Sequence, residues 1–370
     1  MKKIVSFYLL SIIITTTAFS QLTTAADGGN KKAMIGERIG ITDITIHYDR
    51  PGVKGREGKI WGQLVHVGYA DLGFGTSKQA PWRAGANENT TIEFSTDVTI
   101  EGQPLSAGRY GFFIAYDPNE STLIFSKNTT SWGSFFYKPE EDVLKVKVKP
   151  VATDKTVEWL KYEFMNETEN SATVALLWEK LMIPFKVEVD LNKLQLESFR
   201  RELRGERSFS PGWQSYQQAA RYTGDKNIDL DEGLKWADQA ISDQFVGEAN
   251  FVTLSTKADI LRKLGRNNEA DTIMKKALPL GNMLQVHQYG RNLLAQKKSQ
   301  EALEVFKLNN QKNPNQFTTL MGLTRGYSAS GDYKNALKYA NLALPLAPGQ
   351  QAKTQVETMI QKLKEGKDVN

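Results

Sequence analysis

Pro81–Ser95 reads PWRAGANENTTIEFS. It runs from an aromatic–cationic pair, Trp82-Arg83, through Gly85 and Asn87 into an extended segment. Gly85 suits a turn with φ > 0, and Asn87 caps or turns the backbone. Beyond them Ile92, Phe94, Val98 and Ile100 alternate with Glu93, Ser95 and Thr99. A period of two sets one face on a core and the other in water.

The same period spreads outward on both sides. Ile44, Ile46 and Tyr48 alternate with Asp43, Thr45 and His47, and Leu144, Val146 and Val148 with Lys145, Lys147 and Lys149. Ile183, Phe185, Val187 and Val189 alternate with Pro184, Lys186 and Glu188. Arg109–Tyr116, Ser121–Lys127, Thr156–Phe164 and Ala172–Lys180 are rich in aromatic or β-branched residues. Glu101-Gly102, Asp117–Glu120 and Asn166–Ser171 are polar breaks. Many short strands without helical patterns between them predict an antiparallel β-sandwich of jelly-roll or immunoglobulin-like type over 35–190. Pro184 predicts an edge strand.

At Leu191 the period changes. A linker helix is expected within 191–211, and paired helices follow over 212–370. Gly265, Lys298 and Gly331 read as equivalent turns 33 residues apart, and Pro279, Pro314 and Pro348 close units 35 and 34 apart. Glu301-Ala302-Leu303 and Asn335-Ala336-Leu337 recur 34 apart, with Glu269-Ala270 close to that place. Gly290 and Tyr327 fit the first-helix pattern, while the middle unit lacks its turn glycine. A helix–turn–helix of this period is the tetratricopeptide signature, here three clear units and a degenerate first one. The fold class is therefore α+β multidomain, a β-sandwich followed by a tetratricopeptide-like solenoid. Such a solenoid offers a concave surface to a protein or peptide partner.

The N-terminus carries an address. Lys2 and Lys3 precede the apolar run Ile4–Ile14, and Ala18-Phe19-Ser20 offers small residues before Gln21. This predicts a signal peptide over 1–20, cleaved near Ser20-Gln21, then a flexible leader over 21–34. The run is short for a membrane span, so none is expected after cleavage. The expected compartment is the periplasm, the outer-membrane surface or the medium. The chain holds no cysteine, which excludes disulfides, thiolate catalysis and thiolate metal sites. Residues 31–190 carry 19 Lys/Arg against 22 Asp/Glu, and 191–370 carry 26 against 19. That basic excess is spread along helices, and an exported protein is a poor nucleic-acid binder.

Several separated motifs carry a resemblance. They are Arg50-Pro51, Lys54-Gly55, Ile60-Trp61-Gly62, Trp82–Glu88 with Thr90-Thr91, Ala107–Tyr110, Trp132-Gly133 and Trp178-Glu179-Lys180. Over about 35–190 the chain resembles the bacterial family called domain of unknown function 2911 (DUF2911), found mostly in exported proteins of Bacteroidota. Val67–Ala80 is longer than the corresponding link in many members. The resemblance implies a fold and an address, and no activity.

Candidate ligand-binding residues are Arg50, Trp82, Arg83, Asn87 and Glu88. Trp82-Arg83 can serve as a stacking platform and an anion fork for a polar or glycan ligand. Alternatively Glu88 pairs with Arg83 or Arg50, and a buried Trp82 fixes the loop. The basic loop at Arg50, Lys54, Arg56 and Lys59 is a second anion candidate or a solvated turn. His47, His66 and His287 lack diagnostic metal spacing, although His47 and His66 can be imagined converging with Glu88 or Asp71. Glu88 with Glu179 or Asp71 are the acid pairs to inspect. There is no G-x-S-x-G elbow or phosphate-cradling glycine loop. No catalytic residue, metal site or cofactor is assigned. The reading is a non-enzymatic envelope scaffold. The alternative is an exported hydrolase or carbohydrate-binding protein with its site at Trp82–Glu88.

Overall fold

A computed structural model describes residues 29–370. The signal peptide and the leader up to residue 28 lie outside the described residues. The chain divides into two compact units between Leu194 and Gln195.

The first unit is a pair of antiparallel sheets. Its strands are β1 (Lys31–Ile39), β2 (Thr42–Arg50), β3 (Thr90–Phe94), β4 (Val98–Ile100), β5 (Gln103–Leu105), β6 (Gly108–Ala115), β7 (Ser121–Ser126), β8 (Asp142–Val148), β9 (Val151–Met165) and β10 (Ser171–Glu188). One sheet has the order β1-β2-β3-β6-β7-β8 and the other β5-β4-β10-β9. The alternation read from sequence sets their faces. Ile44, Ile46, Ile92, Phe94, Phe112 and Phe125 fill the core from one sheet, Val174, Leu176 and Phe185 from the other. Phe112 and Phe185 meet across it at 5.6 Å between ring centroids.

Two expectations are corrected here. The runs at 172–180 and 183–189 belong to one strand, β10, whose register with β9 shifts on both sides of Glu179. Glu179 is left-handed (φ 53°), and its carboxylate accepts a bond of 2.5 Å from the Gly58 N–H. Pro184 is not in an edge strand. It stands between the last β9 partner, at Met182, and the first β4 partner, at Val187, where no ladder bond is asked of its missing N–H. The long link 67–80 packs through Phe74, whose ring meets those of Phe135 and Phe136 at 5.3 and 5.9 Å.

Helix α1 (Leu191–Glu202) spans the division between the units. Four helix pairs follow, α2 (Trp213–Lys226) with α3 (Leu230–Ser242), α4 (Phe251–Lys263) with α5 (Asn267–Ala277), α6 (Met283–Ala295) with α7 (Ser299–Lys312), and α8 (Phe317–Ala329) with α9 (Tyr333–Ala343). Helix α10 (Gln350–Lys364) ends the series. Asn250 and Asn282 each start their helix with a reciprocal capping box. Ala237, Ala270, Ala302 and Ala336 are completely buried, small enough for the two helices of each pair to approach closely. In the middle unit the left-handed turn residue is Lys297 (φ 62°), not Lys298, which caps α7. The true equivalents, Gly265, Lys297 and Gly331, are 32 and 34 residues apart. Phe306 of α7 enters a slot made by Gly290 of α6 and Gly322 and Gly326 of α8. A Cβ at those three positions would lie 2.5, 2.6 and 3.0 Å from its ring. Among the described residues no helix is long and apolar enough to cross a membrane.

Candidate functional site

The outer face of the six-stranded sheet carries the polar phase of its strands. Lys32 lies opposite Asp49, Met34 opposite His47, His47 opposite Thr91, and Glu93 opposite Arg109. Two loops fold over this face. Residues 84–89 come down on β2, where the Ala86 N–H donates to the Asp49 carbonyl at 3.2 Å. Residues 128–132 lie beside them, joined by Asn89 N–H to the Ser131 carbonyl (2.9 Å) and Asn89 Nδ2 to the Asn128 carbonyl (2.8 Å). They enclose a polar cavity of about 290 Å³ lined by Lys32, His47, Asp49, Glu88, Asn89, Thr91, Arg109, Thr129 and Thr130.

Gly85 serves this closure differently from the sequence expectation. The left-handed residues are Ala84 (φ 53°) and Asn87 (φ 55°). Gly85 is needed for close approach, because a Cβ there would lie 2.8 Å from Thr90 Oγ1 and 3.0 Å from the Asp49 carbonyl.

The five candidate residues divide. Trp82 is core: its indole donates to the Gly85 carbonyl at 3.1 Å, stacks on Trp178 at 6.1 Å and meets Trp61 edge-on at 5.6 Å. Arg83 donates to the Asn87 carbonyl (2.8 Å) and lies over Phe135 at 5.2 Å, its pKa lowered by burial. Arg50 donates to the Leu160 carbonyl at 2.8 Å. Asn87 accepts from Asn30 Nδ2 at 3.3 Å. Only Glu88 lines the cavity, and its cation is Lys32 (2.8 Å), not Arg83 or Arg50. In the basic loop Arg56 is tied down by the Val53 and Gly52 carbonyls at 3.0 and 2.7 Å. Among the described residues no group of three or more His, Asp or Glu converges as metal ligands, so His47 and His66 do not meet in one.

Glu88's acidic companion is Asp49, while Glu179 binds Gly58 and Asp71 binds Lys78 at 2.9 Å. Lys32 Nζ lies between the two carboxyls, 2.8 Å from Glu88 and 3.9 Å from Asp49. Burial, then the neighbouring Glu88, pushes the Asp49 carboxyl up to about 6. The Lys32 bond, then that from Asp49, holds Glu88 down to about 2. Asp49 therefore holds its proton more tightly folded than unfolded. Its stabilising contribution is full below the ordinary carboxylate value and is lost as pH rises through about 6. Glu88 acts oppositely, its contribution being lost as pH falls towards about 2. Asp49→Asn is expected to remove a fall in stability of roughly 2–3 kcal/mol between pH 4 and 7, read by urea unfolding across that range. An unchanged slope would show that Asp49 ionises freely.

The helical unit presents a second surface. Six residues before each left-handed turn residue (Asn227, Gly265, Lys297 and Gly331) stand Arg221, Asp259, Arg291 and Arg325, one on each first helix. Arg221, Ser255, Asp259, Arg262 and Gln285 line a groove of about 510 Å³ along α2, α4 and α6. Burial lowers Arg325 to about 10, with Arg291 adding to it, and burial with both arginines lowers His287 to about 4. At α8 the chain's own Asp368–Asn370 is held. Ser328 Oγ donates to Asp368 at 2.6 Å and accepts from the Val369 N–H at 3.0 Å, and Asn370 Nδ2 donates to the Arg325 carbonyl at 3.0 Å.

Two antiparallel sheets and a stack of helix pairs define a sandwich–repeat protein. Residues 30–187 match the family model described as "Protein of unknown function (DUF2911)". Similar solved structures match the helical part. MamA, residues 41 to the end, from Desulfovibrio magneticus RS-1 is 16% identical with a TM-score of 0.28, covering 44% of this chain and 95% of that one. YrrB, described as a TPR protein with an unusual peptide-binding site, is 17% identical with a TM-score of 0.30, covering 46% and 86%. The repeat architecture rests on the helix pairs themselves. No curated protein matches the chain.

Lys32, Asp49, Asn89 and Arg109 were not among the candidate residues. The leader expected over 21–34 hid Lys32: residues 31–34 open β1 and pair with β2, which sets Lys32 opposite Asp49, and the one local signal is Asp49 on the polar phase of β2.

Proposed function

We propose that this chain is an exported, non-enzymatic scaffold whose helical repeats hold an extended, aspartate-bearing segment of a protein partner, while the β-sandwich docks or recognises a small polar ligand. The observation that carries the first part is the hold on Asp368–Asn370 by Ser328 and Arg325, at the end of a row with arginine at three of its four places. The excess of 26 basic over 19 acidic residues in 191–370 suits a partner of opposite charge. The signal-like N-terminus supports export. Lys32, seated between Glu88 and Asp49, favours binding over acid–base hydrolysis at that pair.

The test uses a fluorescein-labelled peptide with the sequence of Lys364–Asn370 and the chain shortened to end at Gly366. Anisotropy is expected to show saturable binding that weakens about tenfold in Arg325→Gln. An absence of binding to the folded, shortened chain, or equal binding by the variant, overturns the reading.

A further inference from the structure

We propose that the cavity over the outer face of the six-stranded sheet binds a small polyhydroxylated acid of uronate or aldonate type, with Arg109 on its carboxylate and Asp49 and Asn89 on its hydroxyls. This rests on reading the sandwich as a ligand-recognition module and names the ligand class.

Three observations converge. The first is a demand for donors. Asp49 and Asn89 are 3% and 6% exposed, both line the cavity, and Oδ1 of each is buried without a hydrogen-bond partner among the described residues. Buried acceptors left unpaired are costly, and ligand hydroxyls supply what they lack. The second is an unneutralised cation. Lys32 is engaged by Glu88 and Asp49, whereas Arg109, with Glu93 opposite it on β3, makes no ion pair among the described residues. Its Nε and Nη2 rest on Thr91 Oγ1 at 3.3 and 3.1 Å, which aims the guanidinium without discharging it. Such a fork matches a carboxylate. The third is the wall. Thr129 and Thr130 add hydroxyls, Tyr48 is buried and packs edge-on against Tyr162 at 4.8 Å, and the exposed imidazole of His47 is the one lining ring open to the cavity. Its lining therefore offers hydroxyls and one small imidazole, and no exposed Trp, Tyr or Phe face on which a neutral sugar would stack. At about 290 Å³ it lies at the small end of ligand sites, room for one ring.

The experiment titrates the folded chain with D-glucuronate, D-glucose and acetate by calorimetry at fixed ionic strength, on wild type and Arg109→Gln. Arg109 is exposed, so its replacement leaves the core intact. Glucuronate is expected to bind at least about tenfold tighter than glucose or acetate, and Arg109→Gln to bring it down to the glucose level. Glucose binding as tightly as glucuronate, or glucuronate binding unmoved by Arg109→Gln, overturns the acid class and leaves the recognition module standing. Acetate matching glucuronate overturns the hydroxyl contacts. If no probe binds, both the inference and the module reading fail.

Discussion

Gly111→Ala is expected to destabilise the sandwich by about 2–3 kcal/mol and to open the cavity. Gly111 lies in β6 under the 128–132 loop. A Cβ there would meet the Asn128 carbonyl oxygen at 2.0 Å and Asn89 Nδ2 at 2.7 Å. Neither neighbour is the free end of a flexible side chain. The Asn128 carbonyl is backbone and already accepts the Asn89 amide, so the methyl has to push one loop off the other. Urea unfolding should show the loss, and hydrogen exchange should rise first at the Asn89 amide, which donates to Ser131. Unchanged stability and protection would mean that the loop is not seated on the sheet. Because this substitution touches no charged group of the cavity, it separates the shape of the site from its chemistry.

Phe306→Ala is expected to cost about 3–5 kcal/mol, the largest single loss in the helical unit. The ring is completely buried, and three glycines from two neighbouring helices leave it its space. Removing it leaves a void walled by backbone, which relaxes poorly. The same geometry predicts the sign of a double substitution. Gly322→Ala alone is destabilising, since its methyl would lie 2.6 Å from the ring, but in Phe306→Ala that methyl fills part of the void. The two changes should therefore couple by at least about 1 kcal/mol in thermal or urea unfolding. Simple additivity would overturn the slot.

The sandwich is legible because β2, β3, β8 and the second half of β10 keep a period of two, and the repeats because Ala270, Ala302 and Ala336 stand at nearly equal intervals. The residues of the cavity were not, for a reason that Asp49 illustrates. It stands on the outward phase of β2 and would be read as solvated, but a loop some forty residues later folds down and buries it. Glu88 likewise finds its cation in Lys32, 56 residues away, and passes over the nearby Arg83. Local pattern gives phase and propensity, whereas burial on a nominally wet face comes from long-range loop packing. The turn at Lys297 shows a smaller version. With no glycine to mark the left-handed position, two adjacent lysines are indistinguishable in sequence, and the pattern points one residue past the turn, to Lys298. Trp82 was legible as important and ambiguous as to why, since a stacking platform and a core wedge use the same ring.

The held segment Asp368–Asn370 sets a threshold. A strand tethered to the body it rests on competes at an effective concentration on the order of millimolar. Val369 strengthens that hold, being 7% exposed in the core formed by α8, α9 and α10. A dilute, weakly matching peptide would lose this contest at the α8 end of the row, though not at the open groove along α2, α4 and α6. Binding would then begin away from the tail and reach α8 last, giving the surface a direction in which it fills.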